Sequence, residues 1–337
     1  MITAASILLL VAATWFIANR WSRPPIGRLS TRNTDQLTPI GPKITVTTWN
    51  IGFAALGAGA DFFVDGSKNM RALPKSQIQT AAMFIADRLA GFHSDVVLLQ
   101  ENAEAGFLTR GVSVNSAIKR RLTNYAHYFW PDLKTLFAPT PFNISHGMST
   151  YTRREISDCS TLNLPQDPLY YYGFMKKYYG AVVQKLPIKG QAVAWVVINI
   201  HLSAFDKGAN VRQRQLTSLL EYAEQEYRAG HHVVIGGDWN MRLSATDFPH
   251  SIPKSDLFEV FDFPQDKLPK GWMLGVDGHS ASLRSLSKPY LKGETFTTIV
   301  DGFVVSPNVG IEAVITDDLA FEHTDHHPVT GRFSAVA

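Results

Sequence analysis

Short apolar runs that end on a polar residue recur along this chain, and segments of helical spacing separate them. Ile44 to Trp49 alternates as a strand and ends at Asn50. Asp95 to Gln100 (D-V-V-L-L-Q) reads as a second strand, ending at Glu101, and Val193 to Ile200 (V-A-W-V-V-I-N-I) as a third, ending at His201. V-V-I-G-G-D-W-N-M-R, residues 233–242, opens with three β-branched residues suited to a buried strand and turns on two glycines. Asp238 and Asn240 follow, two residues apart, so persisting strand geometry would point both side chains to one side. Ile78, Ala81, Ala82, Ile85 and Leu89 recur at helical spacing, with Ser76 and Gln79 as a capping box and Gly91 as the stop. Val211, Leu216, Leu219, Leu220, Ala223 and Tyr227 mark another helix, stopped near Gly230. Ile299 to Val305 is a strand with Asp301 inside it, and E-H-T-D-H-H-P-V, residues 322–329, precedes a last short strand. This strand–helix–strand rhythm predicts an α/β fold.

Asn50, Glu101, His201, Asp238 and Asn240 thus stand at the ends of successive apolar strands, Asp301 lies in another, and Asp325 and His326 fall in the loop before the last. Each alone has a dull explanation: a turn residue, a helix N-terminal acid, a satisfied core histidine. Together they are better explained by one site, because ligands of α/β sheets collect at strand ends. Carboxylate and amide oxygens without a thiolate make a hard-oxygen site, favouring Mg²⁺ or Mn²⁺ over zinc. The histidines suit proton transfer or charge stabilisation. Water attacking in line on a metal-bound phosphate ester is the expected reaction.

Composition refines this picture at two places. The single cysteine, Cys159, excludes an internal disulfide framework and thiolate zinc sites. The net charge of +3 resides in residues 1–42, where four arginines face Asp35, so the remaining chain is neutral. A neutral body disfavours a protein that grips many nucleic-acid phosphates; nucleic acid is admitted as a partner but not favoured. Ile2 to Ala18 is an uncharged, mostly apolar run with Trp15 inside it and Trp21 after it, both suited to an interface, and with arginines only behind it. It reads as a retained membrane anchor (residues 1–19) followed by a basic, proline-containing linker (20–42) and a catalytic domain (43–337). The arginines would hold the domain on the cytoplasmic side. A cleaved signal, leaving a secreted or periplasmic protein, is the alternative. Oligomeric state is left open.

The ordered set T-W-N, L-L-Q-E, N-I-H-L, G-G-D-W-N, V-D-G-F-V-V-S and T-D-H-H-P resembles the endonuclease/exonuclease/phosphatase superfamily over about residues 43–335. That superfamily includes abasic-site endonucleases, pancreatic-type deoxyribonucleases, inositol-polyphosphate 5-phosphatases and neutral sphingomyelinases. The resemblance implies a four-layer α/β sandwich, two mixed β-sheets packed face to face with helices outside. It implies that Glu101, with Asn50, holds the metal and that Asp325 supports the metal side. Asp238 would orient or deprotonate the attacking water, and Asn240 would place the phosphate. His326, its ring fixed by Asp301, would contact the phosphate and stabilise its charge. His201 would polarise the phosphate or assist the leaving group.

The chain departs from the family pattern where Asn102 and Ala103 follow the Q-E pair, since abasic-site enzymes carry a lysine close after it. Trp239 replaces the usual Phe or Leu, and Thr324 the usual Ser. The loop after Asn50, with D-F-F-V-D-G, resembles membrane-associated bacterial members. On the substrate side, Leu169 to Gly180 carries six aromatics, Tyr171 among them, for lipid headgroups or bases, with a half-buried strand pair as the plainer reading. Arg284, Lys288 and Lys292 could receive a second phosphate or form a solvated basic loop. Phe129 to Pro141 reads as a loop on the rim. These features favour a metal-dependent phosphoesterase acting on a lipid-linked or small phosphoester. A DNA or RNA nuclease is the alternative, and a catalytically inactive, membrane-tethered binding module is disfavoured because every expected site position is filled.

Overall fold

Two pairs of parallel strands, each joined through a helix, set the frame of the molecule. A computed structural model of the chain describes residues 3–18, 23–28, 37–71, 73–136, 138–168, 176–204, 210–244, 246 and 260–336. In chain order its first half holds α1 (Ala4–Ala18), β1 (Gly27–Arg28), β2 (Lys43–Asn50), α2 (Lys75–Phe92), β3 (Val96–Ala103), α3 (Val114–Arg121), β4 (Ala126–Lys134), β5 (Ser145–Thr152) and β6 (Asp158–Asn163). β7 (Gly180–Pro187), β8 (Ala194–His201), α4 (Asn210–Arg228) and β9 (His232–Asp238) follow. Short strands β10 (Met273–Gly275), β11 (Leu283–Arg284) and β12 (Thr297–Thr298) lead to β13 (Asp301–Val305), β14 (Val309–Thr316) and β15 (Val329–Ala335). One sheet has the order β14-β15-β2-β3-β5-β4 and the other β1-β6-β7-β8-β9-β13-β10, with β11 and β12 a separate pair. Among the strands of the described residues, β2/β3 and β8/β9 are the parallel pairs.

The central strands are apolar on both faces because both faces are covered. In β3, Val96 and Leu98 join Trp195, Val197, Val234, Phe303 and Phe333 between the two sheets. The alternate residues Val97 and Leu99 pack outward with Ile78, Ile85 and Leu89 of α2 and Ile118 of α3. On the other sheet Val196, Ile198, Val233 and Ile235 face Leu216 and Leu219 of α4. The period of two along each strand thus builds helix, sheet, sheet and helix as four layers. Truncating a fully buried leucine such as Leu98 costs about 2–5 kcal/mol.

Several local expectations change. Pro74, not Ser76, precedes the first residue of α2, and no side chain caps that end. Its ring presets φ for an extended entry, so the helix begins at Lys75, before the capping-box position. α2 runs through Gly91 and stops where His93 takes a left-handed φ of 51°. Much of the expected rim loop, Phe129 to Lys134, is strand β4; Pro131 sits where the register against β5 shifts, a bulge that tolerates its missing N–H. Within the stretch read as linker, β1 pairs with β6, Trp130 Nε1 donates to the Pro25 carbonyl at 2.9 Å, and Ile40 is buried in the inter-sheet core. The apolar N-terminal run forms α1, of 15 residues, with Ile7 to Val11 exposed. Among the described residues no helix is long and apolar enough to cross a membrane. Trp21, Tyr171 and the rest of the aromatic stretch through residue 175 lie outside the described residues.

Candidate active site

Parallel pairing carries the polar strand ends to one edge of the sandwich. Asn50 closes β2 beside Gln100 of β3, and His201 closes β8 directly opposite Asp238 of β9. β13 runs antiparallel to β9 and starts with Asp301 paired to Asp238. The pairing of β3 with β5 breaks between Leu99 and Asn102, and there Glu101 takes a left-handed φ of 53°. That irregularity re-aims a side chain that regular strand geometry would have placed elsewhere. Between the sheets, just behind this edge, Gln100 Nε2 donates to Asn199 Oδ1 at 2.7 Å, tying the two halves by a buried amide pair.

Asp238 is the hub. Its Oδ2 accepts from Asn50 Nδ2 at 3.0 Å, and its Oδ1 accepts from the Asn240 backbone N–H at 2.9 Å. His201 Nε2 lies 3.5 Å from Asp238 Oδ2 and 4.0 Å from Glu101 Oε1. His326 Nε2 lies 3.9 Å from the same Oδ2, while its Nδ1 bonds Asp301 Oδ2 at 2.8 Å. The His326 carbonyl accepts from Trp49 Nε1 at 3.0 Å, and Thr324 Oγ1 also bonds it, so a threonine serves well where serine is usual. His327 faces away: its Nδ1 is 2.8 Å from the Ala281 carbonyl and its ring stacks on Phe321. Asn240 has a left-handed φ of 50° and donates one side-chain proton to the Leu202 carbonyl, which leaves a second amide proton. Gly237 precedes the hub at φ 154°; a Cβ there would lie 2.1 Å from the Ile200 carbonyl, so only glycine fits. Trp239 packs edge-on against Phe263 and bonds the Gly302 carbonyl, a packing role.

Burial and neighbouring charge divide the titratable groups. Burial, helped by the Lys177 ammonium, holds His201 well below the ordinary histidine range. Burial also opposes charge on His326, but the Asp301 carboxylate, with Asp238 and Asp325 beyond it, outweighs that and raises it to about 10. Asp325 is pushed up to about 7 by burial, with Glu101 adding and His326 and Arg284 opposing.

Over residues 47–310 the sequence matches the model of the Endonuclease/Exonuclease/phosphatase family. The chain belongs to this family. The fold agrees. An endonuclease/exonuclease/phosphatase from Beutenbergia cavernae DSM 12333 is 18% identical with a TM-score of 0.60, over 88% of this chain and 72% of that one. TDP2 from D. rerio, solved in complex with a single strand DNA product, is 14% identical with a TM-score of 0.54, over 87% and 99%. The catalytic domain of human Nocturnin, solved with a bound sulfate anion, is 17% identical with a TM-score of 0.53, over 89% and 97%. No match to a curated protein was found by sequence.

Members of this family generally use a divalent metal, and this site has oxygens to hold one. Asp301 Oδ1 and Asp325 Oδ1 are buried with no hydrogen-bond partner among the described residues. Glu101, 21% exposed, is close enough to Asp325 to raise its pKa. Asp238, Asp301 and His326 also offer ligand atoms within 4.8 Å of one another. Asp238 and His326 engage their atoms in the contacts just described, whereas Asp301 Oδ1, Asp325 Oδ1 and the part-exposed Glu101 carboxylate could serve a cation.

Of the sequence-proposed substrate residues, Arg284 stands beside Asp325, its backbone N–H donating to the Asp325 carbonyl at 3.0 Å, but its side chain turns inward. Arg284 is wholly buried; its guanidinium donates to the Leu56, Gly57 and Ala60 carbonyls and clamps the glycine-rich loop after β2. Buried loop carbonyls need donors, which is why a cation in this segment turns inward. Lys288 and Lys292 are exposed. Conversely Asp132, His146 and Lys177 lie beside His201 and were not singled out, because a bulge and an inter-strand contact, neither visible as a pattern, bring them there.

Proposed function

We propose that this chain is a divalent-metal-dependent phosphoester hydrolase, with Glu101, Asp325 and Asn50 on the metal side. The observation that carries the reading is one carboxylate, Asp238, fixed by Asn50 at 3.0 Å and facing a His326–Asp301 pair. A bound Mg²⁺ or Mn²⁺ would supply Lewis-acid neutralisation of the phosphate charge. Asp238, oriented at both oxygens, takes the proton of the attacking water. His326, kept protonated by Asp301, donates to a phosphate oxygen as charge develops, and the free amide proton of Asn240 positions a second oxygen. Neutral His201 directs an N–H or a lone pair towards the same group.

For the substrate, the neutral body and the missing lysine after Glu101 support a small or lipid-linked phosphoester. The apolar N-terminal segment would tether the catalytic domain to a membrane with the arginines on the cytoplasmic side, as part of the same proposal. A nuclease is the second reading, and the likeness to a TDP2 solved with a single strand DNA product favours it. The experiment is a panel of phospholipids, inositol phosphates, RNA and nicked or abasic DNA, with Mg²⁺ and with chelator, across a salt series. A small phosphoester should be cleaved with shallow salt dependence. A nuclease making six or more phosphate contacts should lose about 10³-fold in affinity between about 50 and 200 mM salt. Fast, steeply salt-sensitive DNA cleavage abolished by Asp238→Asn would replace the small-substrate reading.

A further inference from the structure

A second charged cluster backs onto His201. Its centre is Asp132, which sits in the β4 bulge between Pro131 and Leu133 and has a side chain only 2% exposed. A carboxylate so buried needs a cation beside it or polar neighbours around it. His146, from β5, places Nδ1 3.1 Å from Oδ1, and Lys177 places Nζ 3.6 Å from Oδ2. The next residue, Tyr178, donates its backbone N–H to the Asp132 carbonyl at 2.8 Å and so fixes the backbone beside the lysine. The His146 ring stacks on Phe53, in the loop after β2, so the cluster is braced from the metal side as well.

The ammonium lies between its counter-ion and the active-site ring of His201. Lys177 Nζ is 3.1 Å from His201 Nδ1 and 3.3 Å from its Nε2, so it lies against the ring and not along one lone pair. With His201 Nε2 at 3.5 Å from Asp238, Nζ lies no more than about 7 Å from that carboxylate, close enough for the ammonium to donate to an oxygen of a phosphate whose attacking water Asp238 holds. The lysine side chain keeps 13% exposure where Asp132 keeps 2%, so the cation is at the wall and the anion behind it. Its 3.6 Å contact with Asp132 is an ion-pair distance beyond a hydrogen bond, and an ammonium carries three donors.

We propose that Lys177 is a phosphate-contacting cation of this site, taking a phosphate oxygen on the His201 side, and that Asp132 and His146 are the buried anchor that holds it there. The proposal rests on the phosphoester reading of the site and adds to it a residue that is not among the family-type motifs. A counter-ion for Asp132 and nothing more is the competing account.

The test uses the full chain with Mg²⁺ and inorganic phosphate as the probe, read by calorimetry and by thermal melting. Lys177→Met should weaken phosphate binding about tenfold, the scale of one charge-assisted hydrogen bond, and Lys177→Arg should stay within about threefold of wild type. Lys177→Met alone leaves Asp132 unpaired, so the Lys177→Met/Asp132→Asn double variant carries the test if the single one fails to fold. The double variant should melt near the wild-type temperature and still bind phosphate about tenfold more weakly. Wild-type phosphate affinity in the double variant, or no phosphate binding by the wild type, overturns the proposal. Lysine-dependent phosphate binding without turnover of any phosphoester would leave Lys177 in place and remove the hydrolase reading instead.

Discussion

Asp238 is held at both carboxylate oxygens before any substrate arrives, and its nearest ring neighbours differ in charge. His201 is kept neutral by burial and Lys177, while His326 is kept protonated by Asp301. Two histidines of opposite proton state beside one carboxylate give a site that can accept a proton and donate a hydrogen bond at one pH. Asp238→Asn and His326→Ala should each lower kcat by about 10²-fold or more, with melting temperatures and circular dichroism showing an intact fold. Normal turnover by Asp238→Asn would remove it from the mechanism. The raised pKa of His326 also has a stability consequence. Because the folded value lies above the ordinary one, the stabilisation from pairing His326 with Asp301 is lost as pH rises from about 6.5 through about 10. Burial raises the Asp301 carboxyl to about 6, so the charged pair is complete only above that. Urea unfolding in chelator should therefore show the gap between wild type and Asp301→Asn shrinking as pH rises from about 7 towards about 10. A gap independent of pH would mean that the pair is not charged.

At the scale of elements, two irregularities place chemistry that regular strands would not. The break in β3 turns Glu101 to the site, and the bulge in β4 turns Asp132 inward. Loops then need their own supports. Arg284 holds the loop after β2 by three carbonyls, and Gly52 in that loop, at φ 46°, has no room for a Cβ, which would lie 2.7 Å from Asp325 Oδ1. Arg284→Met should destabilise by at least about 3 kcal/mol, since it strips donors from several buried carbonyls. Lys288→Ala and Lys292→Ala should stay within about 0.5 kcal/mol, as exposed side chains do. Denaturant titration of the three variants checks this. If Arg284→Met instead kept full stability and lost affinity only for substrates with a second phosphate, the arginine would return to the substrate side.

For the whole molecule, the segment before residue 43 matters to the body as well as to location. β1 extends one sheet and Ile40 fills the space between the sheets. A chain starting at residue 23 should melt higher than one starting at residue 43, which loses the buried Ile40 side chain at about 1.5–3 kcal/mol along with the β1 pairing. Equal melting temperatures would show that residues 23–42 add nothing to the fold. The full chain should also pellet with membranes where the chain from residue 23 does not, and recovery of a protein cut near residue 20 from outside the cell would support the cleaved-signal reading.

What could be read without coordinates was whatever leaves a local mark. β8 and β9 are apolar runs closed by His201 and Asp238, and the apolar run of β3 stops at Glu101 although the strand continues to Ala103, because strands covered on both faces have no polar alternation. The α2 and α4 stripes were legible for the same reason, and the ordered motifs carried the family and its sandwich. What needed tertiary structure was every role set by a partner far along the chain. Arg284 and Lys292 look alike as loop cations, yet one is the donor for carbonyls of a loop more than two hundred positions earlier and the other is exposed. Lys177 and Asp132 carry no periodic signal, since their meeting depends on a one-residue bulge in β4 and on the packing of the segment before β7 against that bulge. Hydrophobic period records which face is buried; it does not record which buried or half-buried charges face one another, and that pairing is where this site acquires its proton states.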